Sequence, residues 1–194
     1  MKKFFSVLLI IVLMLGMLIC LTACGEEKKA TPEDTINKYF EAVNKRDFSK
    51  IAELYDIKEM NKYSAEFLDS ELEVTENFIK SNWTNYFEVM KKFDVSLTVK
   101  GIYKITSRAS VEEMYEKINE DLVESEQFEG QDADSTWEAL RDMAASYNLY
   151  YVRLTRKDKD EQRETSTMLI LDNNGKIVND SAMYYVLSVY AYKK

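Results

Sequence analysis

The chain has no histidine, one proline (Pro32), two cysteines (Cys20 and Cys24) and five glycines among its 194 residues. Without an imidazole there is no Ser-His-Asp or Cys-His catalysis, no histidine-ligated metal and no side chain that ordinarily titrates near neutrality. Gly16, Gly25, Gly101, Gly130 and Gly175 lie too far apart to build a phosphate-cradling loop, and no Ser-x-x-Lys pair occurs. Basic residues are also in deficit: 26 Lys plus Arg stand against 34 Asp plus Glu, for a net charge of −8. That balance argues against nucleic acid as a partner, because affinity there comes from clustered Lys and Arg. What remains is an acidic chain of one domain's length with no sequence sign of a cofactor.

The N-terminus is different in kind. Lys2 and Lys3 precede an uncharged apolar stretch from Phe4 to Leu21, which runs into Leu21-Thr22-Ala23-Cys24-Gly25. By length the apolar stretch could span a bilayer as an uncleaved anchor. The small residues Thr22 and Ala23 directly before Cys24 instead resemble a bacterial lipobox, whereas bulky Ile19 precedes Cys20. The resemblance implies cleavage between Ala23 and Cys24 and a diacylglyceryl thioether on Cys24. The mature protein would be held by acyl chains to the membrane, facing the extracytoplasmic side. Gly25 stands where an Asp often signals inner-membrane retention in Gram-negative lipoproteins, and the Lys-, Asn- and Glu-rich composition resembles that of Gram-positive proteins. Cleavage would remove Lys2, Lys3 and Cys20, taking the net charge from −8 to −10 and committing the last thiol to lipid. Stability must then come from the core, with no disulfide.

Residues 24 to 30 read as a lipidated cysteine and polar tether, and residues 31 to 194 as a single α+β domain. Thr31-Pro32-Glu33-Asp34 combines an N-cap hydroxyl, proline in the first helical turn and acids at the positive end of the helix dipole. Ile36, Tyr39, Phe40 and Val43 then form one helical stripe, and Asp47 caps a shorter helix carrying Phe48, Ile51, Ala52 and Tyr55. From Ile57 to Phe93 helical spacing persists through Leu68, Leu72, Thr75, Ile79, Trp83, Tyr86 and Met90, as one helix or two. The period changes to two at Val95, Leu97 and Val99, and resumes after Gly101 at Tyr103 and Ile105, which predicts a strand with a bulge at the glycine.

A helical block returns from about 109 to 147, with Val111, Met114, Tyr115, Ile118 and Leu122 on one stripe and Trp137, Leu140, Ala144 and Tyr147 on another; Ser135 and Glu138 suggest a capping box. The chain closes as a predicted meander: 149 to 156, a charged turn at 157 to 161, 165 to 171, a turn at Asp172-Asn173-Asn174-Gly175, Ile177-Val178, and a β-rich segment from Met183 to Tyr192.

The opening from Thr31 to Tyr55 resembles the first helical hairpin of nuclear transport factor two-like domains (the SnoaL and cystatin-like superfamily). That resemblance implies N-terminal helices packed on a curved, cone-like antiparallel sheet around a cavity. Members of the superfamily use this cavity as an isomerase or dehydratase site, a small-molecule pocket or a binding platform, so fold does not settle function. The block at 109 to 147 departs from the family pattern and reads as an insertion.

Charge is concentrated in one segment. Residues 111 to 138 hold eleven acids, among them Glu112, Glu116, Glu120, Asp132, Asp134 and Glu138, and the single base Lys117. The segment reads as a solvated helix face around a loop at Gly130, as a surface for a basic protein partner, or as a divalent-cation site built from Asp132, Asp134 and Glu138. Of the thirteen tyrosines, Tyr184, Tyr190 and Tyr192 share one face of the predicted last strand, opposite Tyr185. A tyrosine paired with a carboxylate in an apolar cavity would support proton transfer, but no acid stands out on the apolar stripes, and Tyr39 beside Glu41 fits ordinary helix patterning. The sequence therefore leads to the expectation of a lipid-anchored, noncatalytic domain binding a small ligand or a partner. An interaction or immunity-type protein acting through the acidic segment is the alternative, and a Tyr/carboxylate enzyme comes after it.

Overall fold

The computed structural model describes residues 31–70, 73–121, 132–159 and 161–180. They form an α+β domain in the order α1 (Pro32–Lys45), α2 (Phe48–Leu54), α3 (Ile57–Phe67), α4 (Glu76–Phe93), β1 (Ser96–Ile105), α5 (Arg108–Asp121), α6 (Ala133–Ser146), β2 (Asn148–Lys157), β3 (Gln162–Leu171) and β4 (Ile177–Asn179). The strands pair in sequence order, each antiparallel to the next, with the α5–α6 pair inserted between β1 and β2.

Local chemistry sets the helix starts. Thr31 and Asp34 exchange side-chain to backbone hydrogen bonds at 3.1 Å, a complete capping box with Pro32 in the first turn. Arg46, at φ 55°, closes α1 in the left-handed region, and Asp47 caps α2 by accepting from Lys50 N–H. The helical spacing between Ile57 and Phe93 resolves into two helices. Leu68, expected on their shared stripe, lies past the end of α3 and is exposed, and Thr75 is the N-cap of α4. A second expectation is corrected at α6. Its N-cap is Asp132, which accepts from Ser135 N–H at 2.8 Å, so Ser135 and Glu138 lie inside the helix instead of forming its capping box.

The sheet is covered on both faces. Tyr150, Val152 and Leu154 of β2 pack with Leu169 and Leu171 of β3 against α1, α2 and α4, where Ile36, Tyr39, Phe40, Ile51 and Trp83 are buried. Leu149 and Tyr151 face the other way, with Ile170 and Val178, onto Val111, Met114 and Ile118 of α5 and onto Tyr63 of α3. This double burial is why β2 carries an unbroken apolar run from 149 to 152 instead of alternating. In β1 the pairing register shifts between Val99 and Gly101, leaving Lys100 as the extra residue. One inserted residue inverts side-chain parity, so Leu97 and Val99 point to the α1–α4 side while Tyr103 and Ile105 point to the α5–α6 side. At the Leu97 end, Asn44 of α1 both donates to Leu97 C=O (2.7 Å) and accepts from its N–H (2.8 Å), joining helix to strand.

Candidate functional site

The acids singled out by composition are dispersed. Glu112, Glu116 and Glu138 are exposed, and Asp132 is engaged as the α6 cap, whose backbone hydrogen bond from Ser135 holds its carboxyl below the usual range. Arg108 pairs with both Glu112 and Asp134, tying the start of α5 to the start of α6. Among the described residues no three acids, cysteines or histidines are grouped as metal ligands. Ala23, Cys24, the Glu120 side chain and the tyrosines from 184 onward lie outside the described residues, and among the described residues no helix is long and apolar enough to cross a membrane.

The structure brings together a different set. Tyr39 Oη and Tyr55 Oη each donate a 2.5 Å hydrogen bond to the same carboxylate oxygen, Asp180 Oδ2, and Trp83 Nε1–H donates to Tyr55 Oη at 2.9 Å. Each member comes from a separate element: Tyr39 from the middle of α1, Tyr55 from the end of α2, Trp83 from α4, and Asp180 from the residue after β4. The α2–α3 junction is docked on β4, where Tyr55 forms a parallel bridge with Ile177, Asp56 N–H donates to Ile177 C=O (3.1 Å) and Lys176 Nζ donates to Glu53 C=O (2.6 Å). That docking sets Tyr55 beside Asp180. Tyr39 stands edge-on to both Tyr55 and Trp83, with ring centroids 6.5 and 5.9 Å apart.

Burial sets the electrostatics. Loss of water pushes the Asp180 carboxyl up, a shift the two phenol hydrogen bonds oppose. Both phenols rise well above the ordinary tyrosine value, first because they are desolvated and then because they face the Asp180 charge. Tyr39 and Tyr55 are therefore held as neutral phenols that donate to Asp180.

Two hollows adjoin the cluster. A cavity of about 130 Å³ is lined by Tyr55, Met60, Val74, Phe78, Ile79, Asn82, Trp83, Tyr86 and Asp180. A more open groove of about 400 Å³ shares Tyr55 and Ile79 and is bordered by Phe48, Ser49, Ala52, Glu53, Ile57, Glu76 and Lys80. Asn61 fixes the wall between α3 and α4: its amide donates to Val74 C=O (2.9 Å) and accepts from Val74 N–H (2.6 Å). The arrangement can hold a small guest against aromatic rings and present it with the Asp180 carboxyl and the Tyr55 phenol.

Asp180 carries no signal of its own in the sequence, where Tyr39, Tyr55 and Trp83 stand as apolar stripe positions. Asp180 is 141 residues from Tyr39 and follows a three-residue strand, so no spacing links them. The usable hint was compositional: hydroxyl-bearing Tyr, in place of Phe, at buried stripe positions requires a polar partner somewhere in the core. Comparison with protein-family models, with curated proteins and with solved structures returned no match.

Proposed function

We propose that this chain is a lipoprotein, anchored through lipid on Cys24 at the extracytoplasmic side of the membrane, whose domain binds a small ligand in the cavity floored by Asp180. The anchoring rests on Lys2, Lys3, the apolar stretch and Leu21-Thr22-Ala23-Cys24. The binding reading rests on one observation: a desolvated carboxyl, hydrogen-bonded by two tyrosines, opens onto a cavity walled by aromatic rings. A few convergent polar groups on an apolar wall are what orient a bound small molecule. The helical hairpin followed by two further helices and an antiparallel sheet is compatible with nuclear transport factor two-like domains, with α5 and α6 as an addition to that plan. Engagement of Glu112 and Asp134 by Arg108 weakens the alternative of a partner surface on the acidic segment.

A second reading has its own support. A phenol donating to a carboxyl beside a cavity is a donor–acceptor pair suited to acid–base chemistry on a bound substrate. Turnover would separate the two readings, since a binding domain returns its ligand unchanged.

The test is mass spectrometry of the full chain purified from its own membranes. The reading predicts an N-terminus at acylated Cys24 and a co-purifying small molecule that Val74→Trp, which fills the cavity from its wall, excludes. An unmodified N-terminus at Met1 would contradict the anchoring, and a small molecule retained equally by Val74→Trp would contradict the cavity as its site.

A further inference from the structure

The cavity's inventory is one-sided in chemistry. Its described lining carries four aromatic rings, from Tyr55, Phe78, Trp83 and Tyr86, one carboxylate, Asp180, and no Lys or Arg. The Trp83 and Tyr86 rings stand at 86° with centroids 5.4 Å apart, forming two walls of a corner. Aromatic faces carry negative quadrupole potential and attract cations, most strongly where water is excluded. The Asp180 carboxyl oxygens add polarity of the same sign, and their described side-chain partners are two neutral phenols. Among the described residues no basic side chain pairs with Asp180 or contributes to its electrostatics. Burial favours the neutral form of an acid that lacks a countercharge, and a cation seated in the cavity would supply that countercharge and favour the carboxylate. An anion would meet the carboxyl oxygens and the ring faces repulsively, and a neutral guest would bring no countercharge. The adjoining groove continues the bias, with Glu53 and Glu76 against Lys80 along its border. At about 130 Å³ the cavity is smaller than drug-sized pockets and suits a compact head group.

We infer that the cavity binds a small organic cation, an alkylammonium or quaternary ammonium group, with Asp180 as its counterion and Trp83, Tyr86 and Tyr55 as its aromatic walls. This rests on the reading of the cavity as a ligand site and specifies the ligand's charge. Calorimetric titration of the full chain in detergent, with empty micelles as reference, tests it using choline and 3,3-dimethylbutan-1-ol, which replaces the charged nitrogen by carbon. Choline binding at least about tenfold tighter than the alcohol is expected, from cation–π and ion-pair contributions together. Asp180→Asn should erase that preference while leaving alcohol binding in place. Tyr86→Leu, at a half-buried wall position, should weaken choline a few-fold with little effect on the alcohol. Circular dichroism of each variant verifies that it is folded. Equal affinity for the two probes would overturn the cation assignment while sparing the ligand cavity. Binding of neither probe to the folded wild-type chain would overturn both.

Discussion

At the scale of single residues, Tyr39 and Tyr55 make similar bonds to Asp180 but are not equivalent. Tyr55 Oη donates to Asp180 and accepts from Trp83, so its hydroxyl is the one that links the carboxyl to the indole, whereas Tyr39 donates to Asp180 and also interacts with the Tyr55 hydroxyl. Tyr55→Phe leaves the buried indole N–H of Trp83 without an acceptor, an arrangement that costs about 1–3 kcal/mol. Tyr39→Phe removes a donor from a carboxylate oxygen that keeps the other phenol. Urea unfolding should therefore show the larger loss for Tyr55→Phe. Combined, the two substitutions should cost more than the sum of the singles, because the second strips the last described side-chain donor from Asp180. Equal and additive losses would contradict the network.

Elements show where sequence and structure agree and where they part. The α1–α2 hairpin was legible because its determinants are local: the Thr31 cap, Pro32, the 3–4 spacing of Ile36, Tyr39, Phe40 and Val43, and the Asp47 cap. The α5–α6 insertion and the bulge beside Gly101 were legible for the same reason. What was not legible depends on long-range packing. The parity inversion in β1 has meaning only once two layers cover opposite sheet faces, and the Asp180 cluster joins four elements through no common motif. The α6 start is ambiguous in sequence because Asp132 and Ser135 are both good cap residues three positions apart, and sequence does not rank them. Asp132→Ala should thus lower stability measurably, while Glu138→Ala, exposed inside the helix, should leave it nearly unchanged. Chemical denaturation of the two variants checks the assignment. Deleting Lys100 is expected to leave Tyr103 and Ile105 on their present face, because the residues after it keep their β2 partners in a ladder without the bulge, and a retained cooperative transition is the expected readout.

For the whole molecule, pH dependence carries the signature of the buried carboxyl. Asp180 has a folded pKa above its unfolded value of roughly 3.9, so between those two values the native state holds the proton more tightly than the unfolded chain. Its contribution to stability is fully present below about pH 3.9 and is lost as pH rises through the folded value. Asp132 and Glu41, whose carboxyls are lowered by a backbone hydrogen bond and by Lys45, act in the opposite direction, contributing stability that is lost as pH falls. The raw pH profile mixes the two, but the difference between wild type and Asp180→Asn isolates the first. The Asn variant should gain on wild type as pH rises from about 4, by roughly 1.4 kcal/mol for each unit separating the folded and unfolded values, and the difference should then level off. A difference independent of pH would contradict the burial.

The central claim is that a desolvated carboxyl, held by Tyr39 and Tyr55, forms the floor of the cavity. Its most direct test is a pH titration of the full chain labelled with carbon-13 at aspartate carboxyls, with the Asp180 resonance assigned by its absence in Asp180→Asn. The account predicts an inflection clearly above the ordinary aspartate range. Titration at or below that range would contradict it.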